Sequence, residues 1–307
     1  MNWEIDRGYK LKITVFTPTY NRAYILSNLY HSLQRQTYFD FEWLIVDDGS
    51  TDNTHDVVEQ WQKEKNFFPI YYYKQENGGK CRAINHALDL AHGELFFTVD
   101  SDDYLTDDAL EKIAKWEKEL PKSNRYCGVA GNLGISPTKT SNTIFPGEYY
   151  EGTLFDRYKN VDGERAIVFY TEVHRKFKYP EFPGEKFMTE AVVYNRIAAA
   201  GYKIRFYNDI IWIYKYMEDG LTKSGSSVFI NNPRGFGLWL QERARFQNYS
   251  TLKRTKMYYT FTCDLSSRYK CKLIAESIGA PVPLIRLMSI IHAGRRVFKN
   301  TREKNND

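Results

Sequence analysis

Between Leu11 and about Gly131, short apolar runs alternate with longer amphipathic stretches, the pattern of strands and helices wound into βαβ units. The runs Lys12 to Thr17, Phe41 to Val46, Ile70 to Tyr73, Glu94 to Val99 and Tyr126 to Ala130 predict strands. Pro18 is expected to stop the first, and the acidic turn Asp47-Asp48-Gly49-Ser50 the second. Helices are predicted over Tyr24 to Gln34, where Leu26, Leu29, Tyr30 and Leu33 recur at helical spacing, and over Asn53 to Lys65, Lys80 to Ala91 and Ala109 to Leu120. Thr106 and Asp107 open the last of these. Through Glu185 the pattern loosens and Gly and Pro are frequent. An Ala-rich helix from Thr189 to Ala200 and a strand pair around Ile204 to Tyr216 then return to the sheet. Thr222 to Ser227 suggests a hinge or loop, and Arg234 to Lys299 is helical in propensity and basic.

The expected class is therefore α/β, with a Rossmann-like, mostly parallel central sheet flanked by helices and a helical, basic C-terminal extension. With 307 residues, 42% hydrophobic and 16% aromatic, the chain exceeds the usual size of one compact domain. A division is expected near residue 220, with halves of about 11–131 and 132–220 before it and a separate region 221–307 after it. Charge supports that boundary: residues 1–220 hold 27 Lys or Arg against 33 Asp or Glu, and residues 221–307 hold 16 against 5. A basic tail on an acidic body suits an anionic surface, either a membrane leaflet or a nucleic acid; a solvated helical face is the plainer explanation.

Cys81, Cys127, Cys263 and Cys271 show no paired or ligand spacing, which fits a reduced, cytoplasmic setting. The opening MNWEIDRGYK lacks the apolar core of a signal peptide, and no apolar run is long enough to span a bilayer. His55, His86 and His92 form no ligand set by spacing.

Ligands of such sheets bind beyond the carboxyl ends of the strands, so the residues following each strand carry the chemistry. Three of those loops are Thr17-Pro18-Thr19-Tyr20-Asn21-Arg22, Asp47-Asp48-Gly49-Ser50 and Asp100-Ser101-Asp102-Asp103. The acidic triplet suits a hard divalent cation, Mn²⁺ or Mg²⁺, which takes carboxylate oxygens and keeps positions open for phosphate. If the strand end is extended, Asp100 and Asp102 point to the same side, so that one can hold a ribose and the other the metal. Capping of the following helix is the simpler alternative. Gly78-Gly79-Lys80-Cys81-Arg82 places glycines before a helix, where backbone amides and two cations can meet a diphosphate. No dinucleotide or P-loop glycine pattern occurs.

Four segments, TVFTPTYNRAYIL, LIVDDGSTDNT, NGGKCRAINHAL and GELFFTVDSDD, give residues 11 to about 120 a resemblance to the family 2 glycosyltransferases of GT-A fold. By that resemblance Thr17, Pro18, Tyr20 and Arg22 line a nucleoside pocket, and Asp48, with Asp47, meets the base. Asp100, Ser101 and Asp102 form the DxD element around ribose and metal, Asp102 being the favoured metal ligand, while Lys80 and Arg82 lie near the sugar diphosphate. The family's second acidic residue, the base, falls by counting back from Arg196 on Glu190, with Glu185 in reserve; helix-start and loop roles are the alternatives for these two. The implied reaction is inverting transfer of a sugar from a nucleoside diphosphate, with UDP favoured, onto a glycan or lipid-linked acceptor in capsule, O-antigen or exopolysaccharide synthesis.

Two rival classes are a sugar nucleotidyltransferase, which would carry a Gly-rich loop where Tyr20-Asn21-Arg22 stands, and a nucleic-acid-binding protein, which leaves the acidic rim unexplained. The tail offers one further expectation. Leu284, Leu287, Met288, Ile291 and Phe298 share a helical face edged by Arg286, Arg295, Arg296 and Lys299, which suits peripheral contact with the inner face of a membrane or packing on the catalytic domain.

Overall fold

The computed structural model describes residues 9–123, 125–215 and 225–304, with side chains to residue 295. The strands are β1 (Leu11–Thr19), β2 (Phe41–Asp47), β3 (Ile70–Lys74), β4 (Gly93–Thr98), β5 (Tyr104–Leu105), β6 (Tyr126–Ser136), β7 (Lys139–Thr140), β8 (Tyr149–Gly152), β9 (Arg165–Tyr170) and β10 (Lys203–Ile213). The helices are α1 (Ser27–Gln34), α2 (Thr54–Lys63), α3 (Lys80–Leu90), α4 (Ala109–Lys118), α5 (Thr171–Lys176), α6 (Ala191–Ala199), α7 (Ser226–Asn231), α8 (Pro233–Phe246), α9 (Thr251–Leu265), α10 (Cys271–Ile278) and α11 (Val282–Lys304). The sheet runs β3-β2-β1-β4-β9-β6-β10-β5, with β7 on β6 and β8 on β10. β1 to β4 pair in parallel, as do β6 and β10, while β9 lies antiparallel between β4 and β6.

The chain divides into two compact units, one of residues 1–179 and 196–220, the other of 180–195 and 221–307. Residues 180–195, expected in the acceptor half, group with the C-terminal helices. The reason is local: Asn232 Oδ1 accepts from the backbone N–H of Lys186 and Phe187, at 2.9 and 3.1 Å.

Several expectations shift. β1 continues through Pro18, which pairs with Val46 of β2, whereas its register with β4 ends at Phe16. The missing Pro18 N–H therefore interrupts no ladder on the β4 side. β9, with the buried sequence RAIVFY, lies in the stretch expected to be irregular. Gly128 of β6 gives β9 room, since a Cβ there would stand 1.9 Å from the Val168 carbonyl oxygen. Instead of a strand pair, residues 203–213 form one strand with irregular register near Phe206 to Ile210; Tyr216 lies outside the described residues. Of the expected hinge, residues 222–224 also lie outside them, and Ser226 begins α7.

In the first unit, Tyr30, Trp61 and Trp43 stack beneath α1 and α2, with ring centroids 4.5 and 5.8 Å apart along the series. Glu42 of β2 is fully buried. Its carboxylate accepts from Thr14 Oγ1 at 2.5 Å and from the His92 backbone N–H at 2.8 Å, and lies 2.8 Å from His92 Nδ1. This triad joins the starts of β1, β2 and β4 at the face opposite the site described below.

In the helical unit, Phe261, Leu265, Ile274, Ile278, Ile285 and Met288 form one apolar cluster. The single face expected on α11 therefore splits. Met288 turns inward, Leu284 packs partly against the cluster, and Leu287 (55%), Ile290 (69%) and Ile291 (41%) face solvent. The side chains of Phe298, Arg296 and Lys299 lie outside the described residues. Among the described residues no single helix is long and apolar enough to cross a membrane; α10 with α11 passes only as a pair bent by 119°.

Glu42→Ala would leave the buried Thr14 hydroxyl and the half-buried His92 N–H without an acceptor. The expected cost is about 3 kcal/mol, or roughly 6–12 °C in the Tm of the first unfolding transition, measured by calorimetry against an exposed control such as Glu59→Ala.

Candidate active site

The carboxyl ends of β2, β1 and β4 lie side by side, so the loops after these strands share one rim. The order of burial sorts their residues. Thr17 is fully buried, with Oγ1 accepting from Trp43 Nε1 at 3.0 Å, and Pro18 is buried beside it. Tyr20 is 48% exposed, and Arg22 is half-buried with Nη1 donating to Tyr24 Oη at 2.7 Å. Tyr20 and Arg22 thus present side chains at the rim, and Thr17 and Pro18 support the strand below it.

The acidic pair after β2 divides in the same way. Asp47 is fully buried, accepting from the Ser50 backbone N–H at 2.7 Å and from Tyr72 Oη. Both of these bonds lie within the loop and its neighbouring strand, so Asp47 organises the turn that carries Asp48. Burial and the Asp47 carboxylate push the Tyr72 hydroxyl well above its ordinary pKa.

Asp48 bridges two loops. Its Oδ1 accepts from Gln75 Nε2 and the Gly78 N–H, both at 2.8 Å, and its Oδ2 from the Gly79 N–H at 2.7 Å. An ionised carboxylate has about four acceptor sites, so one remains for a donor such as a base N–H.

The glycine pair has a steric and a conformational reason. Gly79 takes φ +90°, which side chains rarely adopt, and a Cβ on Gly78 would lie 2.5 Å from Arg82 Cδ. With the pair clamped by Asp48, Lys80 begins α3 and its Nζ reaches Asp100 Oδ1 at 2.6 Å. Asp48, the glycines, Lys80 and Asp100 thereby form one continuous polar chain across the rim.

The acidic triplet is a turn, where an extended strand end was expected. β4 ends at Thr98, and the Asp103 N–H donates to the Asp100 carbonyl at 3.2 Å. Asp100 and Asp102 are nonetheless the half-exposed members, and Ser101 and Asp103 are buried. Asp102 takes no hydrogen bond or ion pair from a described residue. Burial, then the neighbouring Asp100, pushes the Asp103 carboxyl up to about 8.

Among the described residues, no three His, Cys, Asp or Glu side chains make a complete metal cage. The donor set still fits a hard cation of the Mg²⁺ type, which is commonly held by one or two carboxylates with phosphate and water completing the shell. Two half-exposed carboxylates are present, and one of them already holds an ammonium group.

Gln75 and Asn77, whose Nδ2 donates to the Asp48 carbonyl at 2.8 Å, are site residues the motif search passed over. They follow β3, so the strand-end rule applied to β1, β2 and β4 would have found them. In the helical unit, both oxygens of Glu185 accept from the start of α8, from the Arg234 N–H at 2.8 Å and the Gly235 N–H at 2.9 Å, which makes it a helix cap here. Glu190 is half-buried just before α6, and Tyr194 Oη donates to its Oε2 at 3.0 Å. His55 lies against Tyr72, and His86 against Tyr73 and Gln75.

Residues 14–175, more than half the chain, match the model of glycosyl transferase family 2. The chain belongs to that family. This family 2 chain is 38% identical over 121 residues to a putative teichuronic acid biosynthesis glycosyltransferase, TuaG, of Bacillus subtilis; the match covers 39% of this chain and 48% of TuaG. The chain thus spans about half the length of that relative. It is 28% identical over 304 residues, 91% of this chain and 94% of the relative, to the GalNAc(5)-diNAcBac-PP-undecaprenol beta-1,3-glucosyltransferase of Campylobacter jejuni. The crystal structure of S. aureus TarS 1-349 in complex with UDP-GlcNAc superposes with a TM-score of 0.60 at 18% identity, covering 96% of this chain and 92% of that one. A mannosyltransferase from Pyrobaculum calidifontis in complex with GDP-Man and Mn²⁺ gives 0.55 at 19% identity, covering 97% and 84%. The fold of the family 2 chain is accordingly GT-A.

The two kinds of rim carboxylate separate in stability. Asp48→Ala leaves two backbone N–H groups without their acceptor and is expected to cost about 1–3 kcal/mol, lowering the Tm of the ligand-free protein. Asp102→Asn breaks no hydrogen bond or ion pair with a described residue and relieves repulsion with the buried Asp103, so its Tm should equal or exceed that of the parent in the same scan.

Proposed function

We propose that this protein is an inverting glycosyltransferase that moves a sugar from a UDP-sugar to an acceptor hydroxyl in surface-glycan assembly, with Mn²⁺ or Mg²⁺ at the DxD turn. The observation that carries this reading is the rim of the first unit, where the Asp48–Gly78–Gly79–Lys80–Asp100 chain lies beside the carboxylate of Asp102, which is bonded to no other described residue. Tyr20 and Arg22 offer an exposed ring and a cation for the nucleoside, and the remaining acceptor site of Asp48 takes a base N–H. Asp100 takes the ribose hydroxyls. Asp102 and Asp100 would hold the cation, which neutralises diphosphate charge when bound.

In the reaction, the acceptor oxygen forms a bond to the anomeric carbon as the bond from that carbon to the diphosphate oxygen breaks. Glu190 takes the acceptor proton, and Lys80 and Arg82 balance charge on the departing nucleoside diphosphate. Glu185, engaged in capping α8, is the less suited base.

A lipid-linked acceptor is the choice favoured by the helical unit. Its outward aliphatic strip on α11, with exposed Arg286 alongside, suits the interface of an anionic leaflet, and a cytoplasmic protein resting on the inner membrane face would meet such an acceptor there. The name of the Campylobacter relative specifies a diphosphate-undecaprenol acceptor for that protein. A nucleotidyltransferase is not favoured, since Tyr20-Asn21-Arg22 stands where its Gly-rich loop would follow the first strand, and a nucleic-acid binder leaves the acidic rim unexplained.

The test is a thermal-shift panel of nucleoside diphosphates with and without Mn²⁺. UDP with Mn²⁺ should raise the Tm most, by the equivalent of about 2.7 kcal/mol at a hundredfold excess over Kd. A panel in which no nucleotide moves the Tm would remove the proposal. Asp102→Asn should abolish the Mn²⁺-dependent part of the shift. Glu190→Gln should keep the full shift and lose about 10²–10⁴-fold in kcat; weakened UDP binding with normal turnover would assign Glu190 another role.

For the membrane contact, the protein should float with liposomes of anionic phospholipid and not with zwitterionic ones, and Leu287→Gln/Ile290→Gln/Ile291→Gln should sediment. Unchanged flotation of the triple variant would exclude this face.

A further inference from the structure

The turn that carries Asp100 and Asp102 is attached at both ends. On its entry side the Val99 N–H donates to the Phe16 carbonyl at 2.8 Å, and Lys80 holds Asp100. On its exit side β5 pairs with the end of β10, Leu105 opposite Trp212 and Tyr104 opposite Ile213. Between the two sits Asp103, only 7% exposed, the one acid of the triplet turned into the protein.

Its carboxylate is bonded to the end of β10 and the residues just after it. Oδ2 accepts from Trp212 Nε1 at 2.7 Å, and Oδ1 from the Lys215 N–H at 3.3 Å, just past the end of β10. Trp212 is in turn held edge-on to Phe97 of β4, with ring centroids 5.8 Å apart, and Lys215 Nζ lies 5.7 Å from the centroid of the Tyr104 ring. Asp103 therefore ties the turn to β10, a strand separated from β4 in the sheet by β9 and β6.

A buried carboxylate next to two other acids is costly to keep. Helix capping does not account for it, because Asp108 stands at the N-cap of α4, where Thr106 Oγ1 donates to it at 2.9 Å. What the arrangement does achieve is to fix the spacing of Asp100 and Asp102 against the rigid end of the sheet. Groups that orient metal ligands from behind commonly set affinity for the ion.

We propose that Asp103, acting through the indole N–H of Trp212 and the backbone N–H of Lys215, is a positioning residue that sets how tightly the turn holds its divalent cation. The inference rests on the functional reading above, in which Asp100 and Asp102 are the carboxylates that meet the ion. Asp103 itself touches neither donor nor metal.

The experiment is calorimetric titration of UDP at a series of Mn²⁺ concentrations with the full chain. Trp212→Phe keeps a ring against Phe97 and removes only the N–H. It should raise the Mn²⁺ concentration for half-maximal UDP binding about tenfold, with the weak Mn²⁺-free affinity for UDP and the Tm both close to those of the parent. Asp103→Asn, which retains an oxygen for Trp212, should fall between the parent and Asp103→Ala. The double variant Trp212→Phe/Asp103→Ala should be no worse than Asp103→Ala alone, since both changes break the same link.

An unchanged Mn²⁺ requirement in Trp212→Phe overturns the proposal. So does an equal loss of UDP affinity with and without Mn²⁺, which would mean general loosening of the site. If the parent itself binds UDP without any response to Mn²⁺, the functional reading fails, and that result is visible before any variant is made.

Discussion

The rim depends on one buried carboxylate. Asp48 receives the amide of Gln75 after β3 and the Gly78 and Gly79 N–H groups at the mouth of α3, so the loops after β2 and β3 are both referred to a single anion. Buried acceptors that lose their donors, and donors that lose their acceptor, each carry a desolvation penalty, so the loops move together or not at all. Lys80 is placed by that clamp, and through Lys80 so is Asp100. The ammonium of Lys80 and the carboxylate of Asp100 are thus placed by groups set behind them in the loops.

The sheet supports this with an asymmetry of its own. Parallel strands β3, β2, β1 and β4 bring their carboxyl ends to one edge, which places the βα loops together. The antiparallel β9 then lies between β4 and β6 and joins the second half of the sheet to the first. At the start of β9, Arg165 is only 5% exposed and donates to the carbonyls of Thr143 and Asp162 and to Asn132 Oδ1; burial pulls its guanidinium down to about 10. Asn142 and Asn208 extend this network by accepting from the backbone N–H groups of Leu133 and Phe145. The region between β6 and β9, poor in regular structure, is thus held by side chains that satisfy backbone groups.

The helical unit has a core of its own in α8 to α11, and α11 is apolar on two sides. One side, through Ile285 and Met288, closes that core; the other, through Leu287, Ile290 and Ile291, leaves aliphatic surface beside positive charge. A single hydrophobic stripe would have been spent on packing. The second stripe is what makes a surface role for this helix worth considering.

By itself the sequence determined the βαβ order, four of the five early strands to within two residues, and the three acidic or polar loops of one rim, because period and strand-end position depend on local pattern alone. Tertiary structure decided which of those polar residues face outward. Asp47 and Asp48 are neighbours of identical chemistry, yet one is sealed under Tyr72 and the other clamps a glycine pair, and nothing local distinguishes them. The same holds for β9, whose apolar run lies against β6 where Gly128 leaves room for it, and for Asp103, whose partners lie 109 and 112 residues further along the chain. Periodicity records what a residue does within its own element. Contacts between elements distant in sequence determine which carboxylates build the site and which remain free to use it.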